Sequence, residues 1–309
     1  MLGLLAGSMV RVRRAHVETA MRRAGLGHVP SLARAMYASL GTAIFEFLWL
    51  AGKGAAPADA LILGERARAV LAEHGRKVPG ARSRGLVVAT AHTGNWDFVG
   101  CALAREHIDI SVMTKRLSAM SLDQFWQERR ASFGLELLHG AGVFGRAVQA
   151  VEGGRTVALP IDQVPERRSA VMELSFLGRD ARCDTTPALL AARTGAPLVL
   201  VLGRRLSDGR HFVDVPLVLK PPVRASRRWI EEATRALNAA LEHFVREHPS
   251  QWLWMHRRWK TSAALHRSQR TVRAAMMPNV HEKAEAGDGP QRLLGDPGRA
   301  LARAGARGD

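Results

Sequence analysis

His92 and Asp97, separated by Thr93-Gly94-Asn95-Trp96, are the residues whose types and spacing most plainly suggest proton transfer. They follow an apolar, β-branched run, Leu86-Val87-Val88, that ends in Ala89-Thr90-Ala91. Such a run, bounded by a Gly/Asn turn and followed by a helical pattern, reads as strand, turn, helix. On one continuous helix a five-residue offset puts two side chains on different faces. With the helix starting near Trp96, Asp97 falls in its first turn and can reach back to the imidazole. A carboxylate on one ring nitrogen fixes the tautomer and raises the basicity of the other. The imidazole then faces the end of a strand, where open α/β sheets bind ligands. From spacing alone, capping and a satisfied core pair explain the two residues equally well, and both readings stand.

Other chemistries have weaker signals. Gly140-Ala141-Gly142-Val143-Phe144-Gly145 follows a short strand and opens a helix, with Asp162 at the end of the next strand. That order matches a dinucleotide fingerprint with its ribose-binding acid, and it supports an NAD(P)-binding oxidoreductase as the alternative function. A Gly-rich turn without nucleotide explains it too, since the preceding strand carries Glu136 and the helix stops at Gly153-Gly154. There is no Gly-x-Ser-x-Gly elbow and no phosphate-cradling loop ending in Gly-Lys-Ser/Thr. His243, His248 and His256 lack zinc spacing and read as a solvated helix face, so no metal site is expected. A histidine base acting on a substrate hydroxyl fits better than a covalent nucleophile.

Composition narrows the partners. The 309 residues carry a formal net charge of +17, and the stretch after Lys260 holds only 8 Lys+Arg against 5 Asp+Glu, leaving +14 on residues 1–260. A basic folded part suits an anionic partner. With a single Tyr, little aromatic interleaving and no zinc-finger or single-strand-binding motif, nucleic acid is not expected. Cys101 and Cys183 cannot make a disulfide framework and point to a reducing compartment. No segment offers the roughly 18 uncharged apolar residues of a spanning helix. The apolar candidates are Met1–Val10, suited to a membrane interface or a buried N-terminal helix, and Ala43–Gly52, which contains Glu46. Phe45-Phe47-Leu48-Trp49 could face a membrane, with helix core the simpler assignment.

The elements that must position these residues follow from periodicity. Helices are expected over Arg11–Ala24, Leu32–Leu50 and Ala58–His74. Strands are expected at Leu86–Thr90, Ile108–Met113, Leu135–Leu138, Thr156–Ile161, Met172–Leu177 and Pro197–Leu202, with His211–Leu217 as an edge strand. Between and after them come helices Asp97–Arg105, Ser121–Ser132, Val143–Glu152, Thr186–Thr194 and Arg227–Glu247. The alternation implies an α/β fold whose mostly parallel sheet is flanked by helices. The domains expected are a helical membrane-associating region at 1–80, an α/β domain at 81–260 and a disordered tail at 261–309.

Four ordered blocks carry a family resemblance. They are Ala91-His92-Thr93-Gly94-Asn95-Trp96-Asp97, the basic helix ending Arg129-Arg130-Ala131-Ser132-Phe133-Gly134, and Leu159-Pro160-Ile161-Asp162-Gln163 with its followers Glu173–Gly178 and Ala191–Pro197, then Trp252–Lys260. The first resembles the His-x4-Asp motif of the glycerolipid acyltransferase superfamily. The set is similar to the bacterial lipid A late (lauroyl/myristoyl-type) acyltransferases, and also to phosphatidylinositol mannoside acyltransferases. The likeness covers about residues 10–260.

The resemblance implies transfer of a fatty acyl chain from acyl carrier protein or acyl-CoA to a glycolipid hydroxyl, with no other cofactor. It implies the cytoplasmic face of the cell inner membrane, with anionic lipids as partners and peripheral attachment. On it, His92 is the general base, Asp97 orients it, and Arg130, beside Arg129, suits a phosphate or developing negative charge. Asp162 becomes a contact to acceptor sugar or to Arg130, and Glu173 a second partner for His92. Arg130 and Asp162 also read as a structural salt bridge. The Trp/Arg block at 252–260 could sit at the bilayer interface or merely close the core. A non-catalytic basic protein on a membrane surface is a further reading of the same scaffold.

Overall fold

The computed structural model describes residues 13–53, 59–74, 85–115, 120–165 and 170–259. The Met1–Val10 segment, Arg116, Lys260 and the tail 261–309 lie outside the described residues. The described residues all fall in one compact unit.

The chain opens with α1 (Arg14–Arg23) and α2 (Val29–Lys53), then β1 (Leu61–Leu63) and α3 (Glu65–His74). Next come β2 (Leu86–Thr90), α4 (Trp96–Arg105), β3 (Ile110–Met113), α5 (Met120–Ser132), β4 (Glu136–Leu138), α6 (Val143–Glu152) and β5 (Thr156–Pro160). A hairpin of β6 (Val171–Phe176) and β7 (Arg179–Asp184) follows, then α7 (Thr186–Thr194), β8 (Leu198–Arg205), β9 (His211–Leu219) and α8 (Arg227–Glu247). A 3-10 turn over Pro249–Gln251 leads into the tryptophan block.

Seven strands form the main sheet in the order β1-β9-β8-β2-β5-β3-β4, parallel except where β8 meets β9. β2 lies at the centre, and its near-continuous apolar run is what a strand covered on both faces needs. Val87 and Ala89 join the core shared with α1, α2, α6, α7 and α8, while Leu86 and Val88 face the cluster that includes Ala67 and Val70 of α3. Neighbouring β5 pairs with β2 in register, Thr90 opposite Pro160.

Four expectations need correction. The strand over His211–Leu219 is interior, because Leu61–Leu63, expected to be helical, pairs with it as the true edge. β7 was not foreseen, since Arg179-Asp180-Ala181-Arg182-Cys183-Asp184 is charged; its buried positions are only Ala181 and Cys183. The face Phe45-Phe47-Leu48-Trp49 divides: Phe47 is buried and stacks on Trp126 at 4.6 Å, while its three companions are exposed. α2 is also long and apolar enough to cross a membrane by length and composition, which the demand for an uncharged run concealed.

Candidate active site

The register of β2 against β5 builds the centre. His92 stands two residues beyond Thr90, and Asp162 two residues beyond Pro160, so matched parallel strands deliver them side by side. His92 Nδ1 lies 2.8 Å from Asp162 Oδ1, and the His92 backbone N–H donates to Oδ2 at 2.9 Å. The indole N–H of Trp252 donates to the same Oδ2 at 3.0 Å. Asp162 is fully buried. Burial alone would raise its carboxyl pKa, but the His92 ring and backbone N–H outweigh that and hold it well below the usual range. With Nδ1–H donating to Asp162, Nε2 carries the lone pair. Only the Gln163 amide nitrogen approaches that atom among the described hydrogen bonds, at 3.4 Å.

The His92 ring is held edge-on by Trp96 and His256, at centroid distances of 4.7 and 4.5 Å. Burial, with the charges of His92, Arg13 and Lys115, lowers the His256 pKa to about 4 despite the opposing pull of Asp162, so its ring is neutral near pH 7. Ligand-capable atoms of His92, Asp162 and His256 lie within 4.8 Å of one another. Both oxygens of Asp162 already accept N–H donors, a donor set that orients an imidazole rather than one shaped around a cation.

The expected pairing of carboxylates is exchanged. Asp97 does sit in the first turn of α4, but it accepts from Arg130 Nε at 2.7 Å and from Trp126 Nε1 at 2.9 Å, both on α5. The cause is local: Gly94, at φ +56°, turns the chain, and Asn95 caps α4 by accepting from Phe98 N. The first helical turn therefore presents Asp97 to α5. Asp162, expected at a sugar or at Arg130, is the partner of His92. Arg129 is exposed and lies over the Phe125 ring at 5.5 Å. Glu173 is exposed on β6, opposite Arg182 in the hairpin, and no described hydrogen bond or ion pair joins it to His92.

A second polar cluster backs the turn. Asn95 Nδ2 donates to the Ala43 carbonyl at 3.0 Å and to Glu46 Oε2 at 2.8 Å, both on α2. Arg205, at the end of β8, grips Glu46 with two hydrogen bonds of 2.7 and 2.6 Å. His211 Nε2 lies 3.3 Å from the same carboxylate. Burial works against this charge, but His211, Arg205 and Asn95 together bring the Glu46 pKa down to about 2.

The block after α8 closes the site from above. Gly94 N–H donates to the Gln251 carbonyl and Leu253 N–H to the His92 carbonyl, fastening the turn to this segment. Trp252 and Trp254 are buried, which settles the block as a core closure rather than a bilayer-facing surface. Arg258, fully buried, donates to the Arg182 carbonyl, to Asn238 Oδ1 and to Cys183 Sγ, and so binds the block to β7 and α8. His256 is part of this closure, not of a solvated helix face. Both cysteines are free and buried, and burial, reinforced by the Asp97 charge, pushes the Cys101 thiol up to about 12.

The dinucleotide reading fails on topology. β4, which precedes the Gly140–Gly145 turn, lies at the sheet edge, with β3 between it and β5. Asp162 is therefore not on the adjacent strand, as the fingerprint requires, and its oxygens are committed to His92 and Trp252.

Residues 30–261 match the family model for the bacterial lipid A biosynthesis acyltransferases. The chain belongs to this family. Among its relatives, the phosphatidylinositol mannoside acyltransferase of Mycobacterium tuberculosis is 27% identical over 183 residues, 58% of this chain and 56% of that protein. The lipid A biosynthesis lauroyltransferase of Escherichia coli is 31% identical over 115 residues, 37% of each chain. The chain thus aligns with little more than half the length of the phosphatidylinositol mannoside acyltransferase and with just over a third of the lauroyltransferase. A solved structure, the 1-acyl-sn-glycerophosphate acyltransferase PlsC from Thermotoga maritima, aligns with 82% of this chain and 97% of its own, at 14% identity and a TM-score of 0.37.

The signals for Trp252, Gln163 and Glu46 were weak in the sequence. Trp252 lies in a block that reads as bilayer interface or core closure, Gln163 lies in a family-like block with no role of its own, and Glu46 reads as a charge inside an apolar run. Their roles depend on which strands are neighbours, which periodicity does not encode.

Proposed function

We propose that this chain transfers a fatty acyl group from a thioester, acyl carrier protein or acyl-CoA, to a hydroxyl of a glycolipid of the lipid A precursor or inositol mannoside kind. The observation that carries the reading is the His92–Asp162 pair, which leaves Nε2, approached at 3.4 Å by the Gln163 amide, as the ring nitrogen that takes the substrate proton.

The acceptor O–H gives its proton to His92 Nε2 as the oxygen attacks the thioester carbon. Asp162 holds the imidazole by Nδ1–H and stabilises the imidazolium that forms. Collapse of the tetrahedral adduct breaks the C–S bond, and the proton on Nε2 passes to the leaving thiolate. Asp97 acts on Arg130, not on the base: it takes Nε and fixes the guanidinium plane, leaving the Nη edge for a phosphate or for negative charge developing on the donor. Trp252 positions Asp162.

The family membership and the relatives' names support the reaction class and the glycolipid acceptor. The basic surface supports an anionic donor and attachment to the cytoplasmic face of an inner membrane. The test is acyl transfer from radiolabelled acyl carrier protein and acyl-CoA to a panel of glycolipids, beside His92→Ala. A labelled lipid that disappears in the variant is expected. A labelled lipid that persists would move the base elsewhere, and none with any donor would overturn the reading.

A further inference from the structure

Asp162 and Gln163, consecutive at the exit of β5, address the two nitrogens of one imidazole. Asp162 takes Nδ1–H at 2.8 Å, and the Gln163 side-chain nitrogen stands 3.4 Å from Nε2. The tautomer fixes which way the amide points. Because Nδ1 donates to Asp162, Nε2 carries a lone pair, and Gln163 turns its NH2 end to that nitrogen. At 3.4 Å the contact is longer than a settled hydrogen bond, so the lone pair stays available to a substrate hydroxyl. Gln163 is half-buried, and its second amide N–H has no partner among the described hydrogen bonds. Its place is well defined. The β2–β5 ladder runs on to the Ile161 N–H, which donates to the Thr90 carbonyl at 2.8 Å, so Asp162 and Gln163 leave a fixed strand end.

The reaction needs what this amide offers. As the acceptor oxygen attacks, the C–O bond forms, the carbonyl pair moves onto oxygen, and negative charge appears there. Backbone N–H groups of the turn beside the base could receive that charge, but here they are spent. The His92 N–H donates to Asp162, the Thr93 N–H to the Ala91 carbonyl at 2.8 Å, and the Gly94 N–H to the Gln251 carbonyl at 2.8 Å. The Trp252 indole is on Asp162, and the Asn95 amide is on Ala43 and Glu46. Among the described hydrogen bonds, Gln163 is the side chain whose donor stands at the nitrogen where the attack begins.

We infer that Gln163 is a catalytic residue of the acyl transfer, its amide N–H donating to the oxyanion of the tetrahedral adduct. The inference rests on the acyl-transfer reading and names the group that meets the charge. The attacking oxygen lies within about 3 Å of Nε2. The oxyanion is two bonds from that oxygen, within reach of an amide nitrogen already 3.4 Å from Nε2. When the adduct collapses, the oxyanion pair re-forms the carbonyl, the C–S bond breaks, and sulfur leaves with the proton that His92 held. The amide keeps its own proton throughout.

The test compares wild type with Gln163→Ala and Gln163→Glu in steady-state transfer from a labelled acyl thioester to a glycolipid, with a thermal melt as the fold control. Removing the donor lowers kcat by about 10²- to 10³-fold and leaves KM for both substrates within about threefold. Gln163→Glu, which keeps the shape but loses the N–H, loses at least as much. The acid limb of the kcat–pH profile keeps its wild-type position in Gln163→Ala, because the base and its carboxylate are untouched. A fatty-chain phosphonate, which mimics the tetrahedral oxyanion, loses affinity in Gln163→Ala by about the factor lost in kcat/KM, while thioester binding holds. A kcat in both variants within about threefold of wild type would overturn the inference. So would a loss confined to KM for the acceptor, or a shifted acid limb with unchanged phosphonate affinity, which marks a residue that only tunes His92. A wild-type chain that transfers no acyl group from any donor overturns the proposed function and this inference with it. An active wild type with unaffected variants overturns this inference alone.

Discussion

At the residue scale, two carboxylates divide two tasks: Asp162 serves the imidazole and Asp97 serves the guanidinium. The sequence made His92 and Asp97 legible as a pair of chemical groups but misassigned the contact, because five residues across a turn look closer than seventy residues across a strand pair. Asp162 was visible only as an acid after a strand. Trp252→Phe, which removes one of three donors to Asp162, is expected to lower the transfer rate about tenfold with the fold intact, read by labelled acyl transfer beside a thermal melt. His256 gives a pH prediction. Its folded pKa of about 4 lies below the ordinary 6.5, so between these values the unfolded chain binds the extra proton. Stability therefore falls as pH drops from about 6.5 to 4, by on the order of 3 kcal/mol at most. Asp162, held low, adds a further loss at still lower pH. Urea denaturation at pH 7 and pH 4.5 should show the drop, and His256→Gln should flatten it; an equal drop in the variant would contradict the assignment.

At the scale of elements, the parallel pairing of β2 and β5 aligns His92 with Asp162, and α2 and α5 brace the turn and the helix start that follow. Strand β2, helix α6, helix α7 and helix α8 were legible to the residue, since each has an unbroken apolar period and a turn or cap at both ends. The order of the strands was not, because a parallel sheet is assembled by crossovers whose length says little about which neighbour is reached. Gly94 is the position where the turn admits least change: it has φ +56°, and a Cβ there would lie 2.8 Å from the Gly203 carbonyl oxygen. Gly94→Ala is expected to cost at least about 2 kcal/mol in urea denaturation. Arg205→Ala leaves the partly buried Glu46 with only Asn95 and His211 beside it and is expected to cost about 1 to 3 kcal/mol, with Arg205→Lys recovering only part because it cannot restore the two-pronged contact.

At the scale of the whole molecule, charge and hydropathy act together. The excess of +17 is plain from composition, but composition cannot say that α2 turns its one acid inward and Ile44, Phe45, Leu48 and Trp49 outward. That division appears only once the sheet gives Phe47 and Glu46 something to pack against. If the donor is the anionic thioester proposed above, a basic surface predicts salt dependence in binding rather than in chemistry. Raising ionic strength from about 0.05 to 0.5 M should raise KM for the donor several-fold and leave kcat within about twofold, because screening weakens long-range attraction but not a buried ion pair. Steady-state kinetics across a salt series reads both constants.

The central claim is that His92 and Asp162 act as one unit in acyl transfer, apart from Asp97. It is tested most directly by single-turnover transfer from a labelled thioester, measured for Asp162→Asn in the wild-type and His92→Ala backgrounds. The substitution should lower the rate by about 10²- to 10⁴-fold in the first background and by less than about threefold in the second, since the base it serves is already gone. A wild-type rate in Asp162→Asn, or an equal loss in both backgrounds, would contradict the account.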